Sequence, residues 1–152
     1  MGKLTDIYNF QPIAEDLLTS GQPSEEQFSD LAAAGVKAVI NLALSTSSNA
    51  LAHEPEIVKR LGMQHYHIPV EWDNPTASAL QQFMDTMDSL KGQKVLIHCA
   101  ANMRVPTFLA LYRILRLGWK HDKAFAEVYK IWNPYDDAGW SKFINKVLAG
   151  VK

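Results

Sequence analysis

The chain's only cysteine, Cys99, closes the apolar run Val95-Leu96-Ile97-His98, and Arg104 follows it after four residues: Ala100, Ala101, Asn102 and Met103. A thiolate is a nucleophile and a guanidinium is a planar fork for two oxygens, so this pair can attack and hold one small oxyanion. A loop that leads from a strand into a helix turns several amide N–H groups inward, and the helix N-terminus adds about half a positive charge. Such surroundings lower the pKa of reactive cysteines from about 8.5 toward roughly 3.5 to 7.5. Pro106 disfavours helical dihedrals at Val105 and fits a first helical turn, which predicts helix entry at Arg104 to Pro106. With no glycine in the loop, Asn102 is the residue best suited to a left-handed turn. On chemistry alone three readings stand: a phosphate-attacking nucleophile, a sulfur carrier, or a small buried residue at a strand end.

Other groups complete or compete with that pair. Strand alternation sends His98 to the face opposite Cys99, where it can orient the loop from behind. A general acid must come from elsewhere. Asp73, in the loop after His67-Ile68-Pro69-Val70, is the leading candidate, with Glu71, Asp136 and Asp137 as alternatives; Asp73 or Asn74 equally suits the cap of a helix beginning near Pro75. Trp72 beside it reads as a loop hinge or as a packed aromatic. His65 and His67 share one strand face, a spacing open to a metal pair or to ordinary packing, and no ligand set joins them to carboxylates. The basic residues Arg113, Arg116, Lys120, His121 and Lys123 read as solvated charges that complement a helix C-terminus.

The elements that must position these residues alternate between strand and helix. "LLTSGQPS" reads as a short strand and turn. Ser24 to Gln27 form a capping box that opens a helix ending at Gly35. "VKAVINLA", "QHYHIPV" and "KVLIHC" read as strands, the second halted at Pro69. A short helix carries Ile57, Val58 and Leu61, and a longer one Leu80, Phe83, Met84, Met87 and Leu90. After Cys99, Phe108, Leu111, Tyr112 and Leu115 make a stripe widened by Leu109, Ile114 and Leu117, the mark of a helix buried on most sides. Two amphipathic helices follow, one with Phe125, Val128 and Trp132, the other with Trp140, Phe143, Ile144, Val147 and Leu148. This alternation implies an α/β fold: a mostly parallel central sheet of four to five strands with helices on both faces. Ligands of such sheets bind beyond the carboxyl ends of the strands, where Cys99 falls.

Composition narrows the function classes. At 152 residues and 47% hydrophobic content, residues 1–152 suit a single domain with a continuous core. The formal charge of −1, from 15 basic and 16 acidic residues, predicts no nucleic-acid or membrane partner. One cysteine excludes an intrachain disulfide and a Cys-rich zinc site. No apolar run reaches the roughly 18 to 20 residues of a membrane span, and the polar start lacks a signal-peptide core. The expected compartment is the cytoplasm, or the periplasm for a chain from which a signal was removed.

His98-Cys99 followed by Arg104, between a buried strand and a buried helix, resembles the signature of the cysteine-based protein tyrosine and dual-specificity phosphatases. Ser20-Gly21-Gln22-Pro23 and Ile40-Asn41-Leu42 resemble motifs of a bacterial phosphatase-like subgroup, some of whose members are fused to metallo-β-lactamase-like hydrolases. The resemblance covers most of the chain and implies a dual-specificity-phosphatase-like fold. It also implies attack on phosphorus by Cys99, oxygen binding by Arg104 and the amides of Ala100, Ala101, Asn102 and Met103, and protonation of the leaving oxygen by Asp73. No metal or organic cofactor is implied, and the partner is a phosphorylated small molecule or protein. Two departures matter. The family pattern has five residues between Cys and Arg, and the residue after Arg is commonly Ser or Thr; here that residue is Val105, and the nearest hydroxyl beyond it is Thr107. The four-residue spacing also resembles the loop of some rhodanese sulfurtransferases, which carry a persulfide. A third reading is a degenerate phosphatase domain that binds an oxyanion or a phosphorylated partner without turnover.

Overall fold

Short apolar segments bounded by glycine, proline or polar turns form the strands, and the longer periodic segments form helices that cover them. The computed structural model describes residues 3–150. A 3-10 turn at Leu4–Asp6 precedes β1 (Gln11–Ala14) and β2 (Leu17–Ser20), followed by α1 (Glu25–Ala33), β3 (Ala38–Asn41), α2 (Glu54–Arg60) and β4 (Gln64–His67). Then come α3 (Ala77–Ser89), β5 (Val95–His98), α4 (Arg104–Leu117), α5 (His121–Tyr129), a second 3-10 turn (Pro134–Asp136) and α6 (Ala138–Leu148). The sheet order is β1-β2-β5-β3-β4, with every neighbouring pair parallel except the β1–β2 hairpin. The α/β class with a mostly parallel sheet is as expected from the sequence. β1 is the addition: "QPIA" carries a proline, which only an edge strand tolerates, and pairing with β2 rather than its own pattern makes it a strand.

Register brings three strand ends to one level, since Ser20 and Asn41 both pair with His98. Along β5 the side chains alternate between two cores. Val95, Ile97 and Cys99 belong to the larger cluster under α3 to α6, whereas Leu96 packs with Phe28, Leu31 and Val58 under α1 and α2. His98 shares that second face, its ring edge-on to Phe28 at 5.8 Å.

α4 is buried continuously from Arg104 to Ile114. Phe108 sits 5.8 Å from Phe83 and 6.0 Å from both Trp140 and Phe143, and each such buried side chain contributes roughly 1.5 to 3 kcal/mol. This packing fixes the start of α4 relative to β5, and with it the loop between them. Among the described residues no helix is long and apolar enough to cross a membrane.

Three local expectations change. α3 is capped by Thr76, whose Oγ1 accepts from the Ala79 amide at 3.1 Å, so neither Asp73 nor Asn74 serves as its cap. Trp132 lies beyond the end of α5, freed by the tight turn at Ile131 and Trp132 that closes on the Val128 carbonyl. The basic residues around the end of α4 are engaged rather than merely solvated: Arg113 and Lys123 lie over the Trp119 ring at 4.2 and 4.4 Å, and Arg116 pairs with Asp85 and Asp88. Gly118, at φ 75, turns the chain back so that Trp119 can meet Arg113.

Candidate active site

The loop from Ala100 to Met103 is held by its carbonyls. Ala100 O accepts from the Gln22 amide (3.1 Å) and from Asn49 Nδ2 (3.0 Å). Ala101 O accepts from Asn9 Nδ2 (3.0 Å), and Met103 O from Trp132 Nε1 (2.8 Å). In a trans peptide the N–H points away from its own C=O, so outward carbonyls turn the amides of Ala101, Asn102 and Arg104 inward. Among the described residues, no backbone carbonyl takes a hydrogen bond from the amides of Ala100, Ala101, Asn102 or Met103. Asn102 makes the bend at φ 57, in the left-handed region expected for it, and its Nδ2 donates to Asn9 O (2.9 Å) and Thr19 Oγ1 (3.1 Å). The Thr107 hydroxyl donates to Met103 O at 3.2 Å, one turn back along its own helix.

Gly21 explains the "SGQP" motif. A Cβ there would stand 2.6 Å from the Tyr8 ring and 2.8 Å from Ala100 O, so only glycine lets the β2–α1 connection come this close to the loop. Its neighbour Gln22 then reaches the loop with its backbone and Glu54 with its side chain. In the second motif, Asn41 Oδ1 accepts from the Ala43 amide at 2.8 Å and shapes the chain leaving β3.

Cys99 is 1% exposed and Arg104 is 8% exposed. Arg104 Nη1 donates to Val70 O at 2.7 Å, and among the described residues no carboxylate pairs with this guanidinium. A buried cation without a counter-charge is costly, and an arginine has five N–H donors to satisfy. Arg104 and the inward amides therefore form a cradle suited to an oxyanion.

Val70 also begins the segment that carries Asp73. This turn is closed by a bridge between Glu71 and Asn74. Trp72 packs against Trp132 (4.9 Å) and Trp140 (5.7 Å). Asp73 itself is exposed and lines a cleft of about 420 Å³ together with Lys142 and Lys146. Of the alternatives, Asp137 caps α6 by accepting from the Trp140 amide at 3.0 Å, while Glu71 and Asp136 are exposed.

Behind the loop lies a buried carboxylate that no sequence motif marks. Glu54, 3% exposed at the start of α2, accepts at Oε2 from His65 Nε2 (2.7 Å) and His98 Nε2 (2.9 Å), and at Oε1 from Gln22 Nε2 (2.8 Å). Burial pushes its carboxyl pKa up, but the hydrogen bonds from His65 and His98, the charge of His98 and the bond from Gln22 more than offset this, leaving it well below the usual range. His67, the other half of the sequence-level pair, meets Ala43 O at 2.6 Å instead. Among the described residues no group of three or more His, Cys, Asp or Glu forms a metal site. The local signal for Glu54 was absent: "HEPE" reads as an ordinary acidic first turn with proline near its start, and only the crossover to β4 and β5 brings the histidines to it.

A buried cysteine at a strand end, an amide-lined turn and a buried arginine at the start of the next helix are the arrangement of the cysteine-based phosphatases. Residues 16–118 match the family described as polymorphic toxin system, DSP-PTPase phosphatase, and the chain belongs to that family. It is similar to a phosphatase candidate of the DUF442 group from Shewanella putrefaciens CN-32, with a TM-score of 0.83 and 36% identity over 96% of this chain and 95% of that one. A Cys-to-Ser form of P. aeruginosa TpbA in complex with pTyr shares the fold, with a TM-score of 0.70 and 18% identity over 94% of this chain and 85% of that one. Among curated proteins, the Beta-lactamase hydrolase-like protein of Xylella fastidiosa (strain Temecula1 / ATCC 700964) is 28% identical over 75% of this chain. The chain spans 27% of the length of that relative.

Proposed function

We propose that this domain hydrolyses phosphomonoesters, on a small molecule or on a protein side chain, through a phosphocysteine at Cys99. The observation that carries this reading is the buried, carboxylate-free Arg104 beside a loop whose carbonyls are tied outward. In the first step the Cys99 thiolate forms a bond to phosphorus, the bond to the leaving oxygen breaks, and Asp73 gives that oxygen its proton. Arg104 and the loop amides hold the equatorial oxygens, where charge is greatest in the transition state. In the second step water attacks phosphorus, its proton passes to the Asp73 carboxylate, the P–S bond breaks, and phosphate leaves with the thiolate restored. Val105 offers no hydroxyl to the departing sulfur and Thr107 donates to Met103 O, so dephosphorylation of Cys99 is the slower step.

The test is hydrolysis of an aryl phosphate across a pH series. Cys99→Ser abolishes turnover, Arg104→Lys lowers it about 100- to 1,000-fold, and Asp73→Asn lowers kcat about 100- to 10,000-fold with loss of the alkaline limb. A wild-type protein with no turnover at any pH that gains one sulfur on Cys99 from thiosulfate would instead be a sulfurtransferase. Oxyanion binding with neither activity would identify a binding domain.

A further inference from the structure

The Glu54 carboxylate joins four segments that are far apart in the chain: Gln22 after β2, its own position at the start of α2, His65 on β4 and His98 on β5. Two of these partners also hold the first peptides of the active loop. His98 Nδ1 lies 3.2 Å from the carbonyl oxygen of Cys99, and the Gln22 amide donates to the carbonyl of Ala100. By the same trans-peptide geometry each of those carbonyls sets the opposite-facing N–H of its peptide: the Ala101 amide already placed in the cradle and, beside it, the amide of Ala100.

We infer that Glu54 is a positioning residue: through His98 and Gln22 it aims the amides of Ala100 and Ala101 at the anion and at the Cys99 sulfur. The inference rests on the reading of Cys99 as a nucleophile. It goes beyond it in assigning a task to a residue that touches neither substrate nor sulfur.

The geometry behind this is specific. A carboxylate oxygen shared by two imidazoles requires hydrogen on the Nε2 of both rings, which fixes the orientation of each. His98 then has an acceptor on either side, Glu54 Oε2 and Cys99 O, and only the doubly protonated ring donates to both. The groups facing this cluster are few. Gln22, His65 and His98 contact the carboxylate, Phe28 of α1 covers one edge of His98, and the His67 ring stands 6.5 Å from His65. Glu54 and His98 are screened from water at 3% and 0% exposure, so the bonds between them keep their strength.

Alkylation of Cys99 by iodoacetamide, followed by mass across a pH series, reads the thiolate without any turnover. In folded Glu54→Gln the alkylation midpoint is expected to rise by about one pH unit, the equivalent of one lost charge-assisted hydrogen bond. With an aryl phosphate, kcat falls about tenfold while KM changes by less than about twofold. A midpoint that stays or falls overturns the inference, because removal of a nearby negative charge alone would lower it. A wild type without phosphatase activity would sink the proposed reaction, and the alkylation midpoint would still decide the role of Glu54. Imidazole nitrogen NMR of the wild type provides a check that needs no variant. Both His65 and His98 are expected to carry hydrogen on Nε2, His98 also on Nδ1, and a His98 ring lacking either hydrogen overturns the inference.

Discussion

The two ends of the Cys99 to Arg104 loop are held in different ways. The first half is held by polar groups: His98 and Glu54 behind Cys99, Gln22 and Asn49 on Ala100, Asn9 on Ala101. The second half is held by an indole and by helix packing. Trp132 takes the Met103 carbonyl, Trp72 lies against Trp132, and Arg104 spans from α4 to the Val70 carbonyl of the Asp73 segment. The difference matches the two tasks of the proposed mechanism. Around the sulfur, orientation of amides decides how well charge is stabilised, and buried hydrogen bonds hold orientation tightly. In the proposed mechanism the Asp73 carboxyl meets leaving groups of varied shape, and aromatic contacts tolerate sliding that hydrogen bonds do not.

The largest expected effect comes from breaking the polar half. Removing one partner of a buried charged cluster costs about 3 to 5 kcal/mol, so Glu54→Ala should lower stability near neutral pH by that order in urea unfolding. The pH dependence has a definite sign. The carboxyl of Glu54 lies lower in the folded state than its unfolded value of 4.5, so its stabilisation is full above that pH and is lost as pH falls through the folded value. The gap between wild type and variant should therefore be widest near neutrality and narrow in acid below about pH 4.5. A gap that stays constant down to strong acid would mean that Glu54 acts through packing alone, and the contrast between the two halves would dissolve.

A smaller effect belongs to the aromatic half. Trp132→Phe removes the N–H on the Met103 carbonyl while keeping most of the ring that faces Trp72. One neutral hydrogen bond is worth about 0.5 to 1.5 kcal/mol, so stability should fall within that range and kcat by less than about tenfold. The effect should be greater for bulky leaving groups, which the proposed mechanism makes dependent on Asp73, than for the alkylation of Cys99. Equal losses in both assays would show the loop to be one rigid unit.

Legibility in the sequence followed the same division. The strand, the bend at Asn102 and the helix start at Arg104 were readable because each depends on neighbours: an apolar run, a residue suited to φ above zero, a proline in the first turn. The α/β class followed from the alternation of those local signals. Glu54, Asn9, Asn49 and Trp132 were not readable as parts of the site, since each meets the loop or its rear only through tertiary folding. The helical spacing of Trp132 from Phe125 and Val128 points to a helix face, yet α5 ends at Tyr129. Thr76 caps α3 although Asp73 and Asn74, stronger capping types, stand three and two residues before it, and type alone does not decide between them.

Thr107 offers the finest test. Read from sequence it is the nearest hydroxyl to replace the one missing at Val105, whereas in the structure its Oγ1 donates to Met103 O, a carbonyl that Trp132 Nε1 also reaches. Thr107→Val removes a hydroxyl at a fully buried site and puts a methyl in its place. The carbonyl keeps its indole donor, so no buried acceptor is stranded, and the β-branched shape suits the same rotamer. The expected change is below about 0.5 kcal/mol in stability and below about twofold in the rate of phosphocysteine breakdown, read from the burst and steady-state phases of aryl phosphate hydrolysis. A tenfold slowing confined to the steady-state phase would show instead that this hydroxyl turns to the departing sulfur during the reaction, and the two halves of the loop would then share one catalytic task.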